Sequence, residues 1–114
     1  MKVLFVELPA FQRHRAEYLD DESFSALQAA LVADPEAGDV IRDTGGLRKV
    51  RFTDSRRGKG KRGGLRVIYY WCAPGPQFWL FTLYGKGEVS DLTAEQRKVV
   101  REVLKAELKA RKSP

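Results

Sequence analysis

A chain of 114 residues with 43% hydrophobic and 32% charged content is long enough for one modest core and too short for two, so a single domain spanning 1–114 is expected and a disordered chain is excluded. No apolar run approaches the ~20 residues of a membrane span, and Met1-Lys2-Val3-Leu4-Phe5-Val6-Glu7 meets charge too early for a signal peptide, which points to the cytoplasm. One cysteine, Cys72, and one histidine, His14, make neither an internal disulfide nor a zinc ligand set, so no metal or other cofactor is expected.

Val3-Leu4-Phe5-Val6 reads as a short buried strand, and Pro9 suits the first turn of a helix running through Phe11 to about Tyr18. Asp20 and Asp21 can cap a second helix in which Phe24, Leu27 and Leu31 form an apolar face, ended by Asp34-Pro35. After the Thr44-Gly45-Gly46 break, Leu47 to Phe52 alternates apolar and basic residues, as a half-buried strand does. Leu65 to Cys72 and Phe78 to Tyr84 are rich in branched and aromatic residues, joined at Pro74-Gly75-Pro76. These three strands predict an antiparallel meander. Thr93-Ala94-Glu95-Gln96 is a capping box opening a terminal helix, with Val99, Val100, Val103, Leu104 and Leu108 on one stripe. The element order indicates an α+β fold, a small twisted antiparallel sheet with helices packed on one face.

Charge is concentrated. The formal net charge is +6, yet Arg42 to Arg66 holds ten basic residues against two acidic ones, so the remainder of the chain is slightly acidic. A focused basic site on a nearly neutral body fits a phosphate-rich partner. Within it, Arg48-Lys49-Val50-Arg51 and Leu65-Arg66-Val67 flank a glycine-rich turn carrying Arg56, Arg57, Lys59, Lys61 and Arg62. Lys49 and Arg51 are two residues apart and share a strand face; Arg66 on the adjoining strand can come up beside them. Such a like-charged cluster is unfavourable without an anion, which is a reason to expect function there.

Three stretches then carry a resemblance: Gly45-Gly46-Leu47-Arg48-Lys49-Val50-Arg51, Gly58 to Tyr70, and Leu83-Tyr84-Gly85-Lys86-Gly87-Glu88-Val89-Ser90-Asp91-Leu92-Thr93. In this order they are similar to the RelE/HigB-type toxins of bacterial toxin–antitoxin systems, most closely the HigB-like branch, over nearly the whole chain. The resemblance implies a ribosome-dependent endoribonuclease that inhibits translation by cleaving messenger RNA in the A site of the 70S ribosome without a metal. It also implies a cognate helix-turn-helix antitoxin as partner. It assigns Lys49, Arg51 and Arg66 to the basic catalytic trio: Lys49 to assist deprotonation of the 2′-hydroxyl, Arg66 to bind the scissile phosphate, and Arg51 to stabilise transition-state charge. Where the RelE type has an arginine this chain has Gly87, and where it has a tyrosine this chain has Thr93. Lys86 is therefore the candidate fourth cation, and Tyr84 or Tyr70 the source of a ring.

Arg48, Arg56, Arg57, Lys59, Lys61, Arg62 and Tyr84 are the expected contacts to RNA or the ribosome. Against these stand plainer readings. A charge run is usually a solvated surface, the aromatics of the meander mostly fill a core, His14 between two arginines is an inert surface residue, and Cys72 packs as a small apolar group. A rival of another class is a non-enzymatic module of the same fold, either a ParE-like gyrase inhibitor or a degenerate protein that only binds nucleic acid or antitoxin. An inhibitor of a protein target has no need of Lys49, Arg51 and Arg66 on one face.

Overall fold

The computed structural model describes residues 3–53, 64–72, 75–85 and 92–112. Strand β1 (Leu4–Glu7) leads into helix α1 (Pro9–Tyr18) and helix α2 (Asp21–Ala33). A two-residue strand β2 (Asp39–Val40) follows, then β3 (Arg48–Phe52), β4 (Leu65–Cys72), β5 (Gln77–Gly85) and helix α3 (Ala94–Lys112).

The helix ends follow from local chemistry. Pro9 stands at the first position of α1, where its missing N–H costs nothing, and no side chain caps that end. The Asp20 carboxylate accepts from the Ser23 N–H at 2.8 Å, and Asp34, out of the helical region before Pro35, stops α2. At α3 the capping box is reciprocal: the Gln96 N–H donates to Thr93 Oγ1 at 3.1 Å and the Thr93 N–H to Gln96 Oε1 at 2.9 Å.

The strands form one sheet in the order β1-β5-β4-β3-β2. The expected meander is present as β3-β4-β5, all antiparallel, and β2 extends it antiparallel to β3. At the other edge β1 pairs parallel to β5, so the α+β sheet is mixed instead of wholly antiparallel. Both faces carry helices, which corrects the expectation of a single covered face. Leu65, Val67, Tyr69 and Trp71 of β4 pack with Phe11 of α1 and Leu27 and Leu31 of α2. Ile68, Tyr70 and Cys72, which alternate with them, pack with Val100, Leu104 and Leu108 of α3. The physical reason is visible in β4, whose run from Val67 to Cys72 is apolar or aromatic without alternation, the pattern of a strand covered on both sides.

One polar group is built into the first core. The Tyr69 hydroxyl donates to the Pro35 carbonyl at 2.8 Å and accepts from the Gly38 N–H at 3.0 Å, tying the segment after α2 to the central strand. Burial holds its phenol above the ordinary value of 10, opposed by the Gly38 hydrogen bond. A phenol whose folded-state pKa is raised leaves stability unaffected below pH 10 and lowers it as pH climbs from there to the folded value. Tyr70, also raised chiefly by burial, adds to the same loss. Tyr69→Phe is expected to cost ~1–3 kcal/mol, because two backbone groups lose their partner, and to flatten the alkaline decline in part. Urea midpoints measured at pH 8 and pH 11 check both effects.

Candidate nucleic-acid interface

Lys49 and Arg51 lie on the α3 side of the sheet, the face that β4 fills with Ile68 and Tyr70. The register pairs Lys49 with Ile68 and Arg51 with Arg66, and Arg66 in turn with Tyr84. Directly opposed residues of an antiparallel pair project from the same face. Arg51, Arg66 and Tyr84 therefore make one row across three strands, with Lys49 one step along from Arg51. Lys49 and Arg66 are half-buried and Arg51 is exposed.

Two devices hold this row. The first is the loop before β3, where buried Thr44 donates from Oγ1 to the Ile41 carbonyl at 2.6 Å and accepts from the Leu47 N–H at 3.2 Å. Ile41 N–H closes the loop on the Leu47 carbonyl at 2.8 Å, which fixes the entry of β3 and hence the position of Lys49. The second is a bulge in β5. Ile68 pairs with Thr82 but Tyr69 pairs with Leu80, leaving Phe81 as the extra residue. Phe78 and Leu80 below the bulge and Leu83 above it belong to the core under α1 and α2. Trp79 and Phe81 below it and Tyr84 above it belong to the core under α3. Strict alternation would have sent Tyr84 to the opposite face from Trp79; the bulge brings it beside Arg66.

The other expected contacts divide. Arg48 is not brought to the row. It alternates with Lys49, points to the α1–α2 side, and donates from Nη1 to the Gly38 carbonyl at 2.7 Å, with Glu36 Oε2 3.7 Å from Nη2. Its guanidinium is occupied in bracing the segment after α2. Tyr84 is in the row but only 8% exposed, so its ring forms part of the floor and not a free stacking platform. Tyr70, on the same face, is half-buried and tilts against Trp79 at 5.4 Å between ring centroids. Arg56, Arg57, Lys59, Lys61, Arg62 and Lys86 lie outside the described residues.

Chemically, the row is a cationic shelf with an apolar floor. Like charges directly opposed across a strand pair repel, and an anion laid between Arg51 and Arg66 would turn that repulsion into two charge-assisted contacts. Gly64, entering β4 ahead of Arg66, has φ +73° and sits against Phe52 and Thr53: an added Cβ would lie 2.5 Å from the Phe52 carbonyl oxygen and closer still to Thr53 Oγ1. Gly64→Ala is therefore expected to destabilise by ~1–3 kcal/mol and to loosen the Arg51–Arg66 pairing, read as a lower thermal midpoint and faster amide exchange at Phe52 and Leu65. No family model matches the chain.

Proposed function

We propose that this protein is a ribosome-dependent endoribonuclease of the RelE/HigB toxin type, cleaving messenger RNA in the decoding site of the ribosome and held in check by a cognate helix-turn-helix antitoxin. One observation carries the reading: Lys49, Arg51 and Arg66, picked out by sequence, share a single sheet face with Arg51 directly opposite Arg66. No helix among the described residues is long and apolar enough to cross a membrane.

Cleavage of an RNA phosphodiester by its own 2′-hydroxyl needs that hydroxyl deprotonated, the charge growing on the phosphate stabilised, and the leaving 5′-oxygen protonated. Cations fixed around the phosphate supply the middle requirement without reorganising during the reaction. Arg66, on the central strand, is the residue for the scissile phosphate. Arg51, facing it, stabilises the added charge, and Lys49 assists proton removal. Lys86, beyond the end of β5, is the fourth cation of the scheme.

The test is to map messenger-RNA 5′ ends after brief induction of the wild type and of Lys49→Ala/Arg66→Ala in growing bacteria. New ends within translated frames for the wild type alone support cleavage during translation by the basic row. Growth arrest without new ends favours the non-enzymatic inhibitor.

A further inference from the structure

We infer that Arg101, steered by Arg97 one turn earlier on α3, is a further phosphate-binding residue, forming a second wall of the RNA path opposite Lys49, Arg51 and Arg66. The inference rests on the RNA-binding reading of that sheet face. It begins from how α3 lies. One flank of the helix, with Gln96, Val99 and Val103, lines a groove of about 800 Å³ whose far wall is Leu8, Pro9 and Ala10, with Phe81 and Thr82 of β5. That groove is on the β1 side of the helix. Val100, Leu104 and Leu108 point down onto the sheet.

With 3.6 residues per turn, passing round α3 from Val99 and Val103 through Val100 and Leu104 leads next to Arg97 and Arg101. Arg97 lies within the sheet-facing arc between Leu104 and Leu108, and Arg101 just beyond it, at the edge away from the groove. Since the sheet order is β1-β5-β4-β3-β2, that edge looks toward β4 and β3, where Arg66, Lys49 and Arg51 rise from the same face.

A second observation is independent of this placement. The Nε atoms of Arg97 and Arg101 are shielded from solvent and meet no hydrogen-bond acceptor among the described residues. Arg97 has a partial use, donating from Nη1 to the Leu92 carbonyl at 2.9 Å beside the helix start. Arg101 Nε forms an ion pair with the neighbouring Glu102 carboxylate at 3.9 Å, too long for a hydrogen bond. Shielded guanidinium donors are costly unless an acceptor completes them. On the edge of the helix nearer three cations, the acceptor best suited to complete the two arginines is an anion, and an RNA backbone supplies one every nucleotide.

The experiment measures binding of a fluorescent ten-nucleotide single-stranded RNA, 2′-O-methylated throughout so that it cannot be cleaved, to the full-length protein across a salt series. Variants are Arg101→Gln, Arg101→Lys, Arg66→Ala and, as an equal loss of charge at an exposed position of the same helix, Lys98→Gln. Loss of one phosphate contact is expected to reduce the slope of log K against log salt by ~0.7 and to weaken binding several-fold for Arg101→Gln, with Arg101→Lys recovering most of it and Lys98→Gln close to wild type. Arg101→Met, which keeps the packing stem, repeats the test should the glutamine perturb the helix. If Arg101→Gln and Arg101→Met match the wild type while Arg66→Ala is weakened, the α3 wall is overturned and the sheet site stands. Equal losses for Arg101→Gln and Lys98→Gln overturn it as well, since the effect is then one of net charge. If Arg66→Ala also binds like the wild type, or the wild type has no measurable affinity, both readings fall together.

Discussion

Arg66→Ala is expected to reduce messenger-RNA cleavage by ~100-fold or more, the scale of losing one preorganised transition-state contact, while leaving the fold in place. Arg66 is half-buried on the central strand, in one row with Arg51 and Tyr84, and its backbone is fixed by pairing on both sides. Alanine there also removes the like charge opposite Arg51, which works against any packing loss. The two readouts should therefore separate: 5′-end counts in translated frames collapse while the circular-dichroism melt stays near that of the wild type. A folded Arg66→Ala protein that arrests growth as the wild type does would count heavily against the proposed chemistry.

The largest effect on stability is expected at Phe11. Its ring is fully buried where α1, α2 and the sheet meet, 5.9 Å from the Phe24 ring across the two helices and within the core of Val67, Tyr69, Phe78 and Leu80. Phe11→Ala is expected to cost ~3–5 kcal/mol, because the lost transfer energy is joined by a cavity that rigid neighbours on three sides cannot close. A domain of this size has only ~5–15 kcal/mol in total, so urea unfolding should show a midpoint reduced by about a fifth or more. Phe11→Leu, which fills most of the volume, should recover the greater part of that loss. Neither variant touches the cationic row, so whatever fraction stays folded should keep the RNA affinity of the wild type.

Much of this arrangement was readable from the chain because the deciding signals are local. Pro9, Asp20, Asp34-Pro35 and the Thr93–Gln96 box each act within one turn, and the helix ends fall where those residues put them. The shared face of Lys49 and Arg51 needs only the two-residue period of a strand. What escaped depends on distant parts. That α3 covers the second face was hinted at by the unbroken apolar run of β4, but the capping box says where a helix begins and not where it lies. The strand β2 is two residues long and carries no pattern of its own. Arg48 looks like its basic neighbours in sequence, yet one residue out of step with Lys49 and Arg51 it turns to the other side and onto the Gly38 carbonyl. The bulge at Phe81 has no signature in Phe78 to Tyr84, since every residue there but Thr82 suits either core, and a one-residue change of phase moves Tyr84 between faces.

The parallel pairing of β1 with β5 has a consequence for how the molecule comes into being. Leu4 is matched to Gln77 and Glu7 to Leu80, so during synthesis β1 waits for roughly seventy further residues before its partner exists, and closure across so long a separation is slow. Until then Leu4, Phe5 and Val6 have no ladder to join. The cationic row is under the same schedule, since Tyr84 belongs to β5 and the helix that covers its face follows β5 in the chain. A growing chain therefore carries Lys49, Arg51 and Arg66 before it carries the assembled row, which needs β5 and α3 as well.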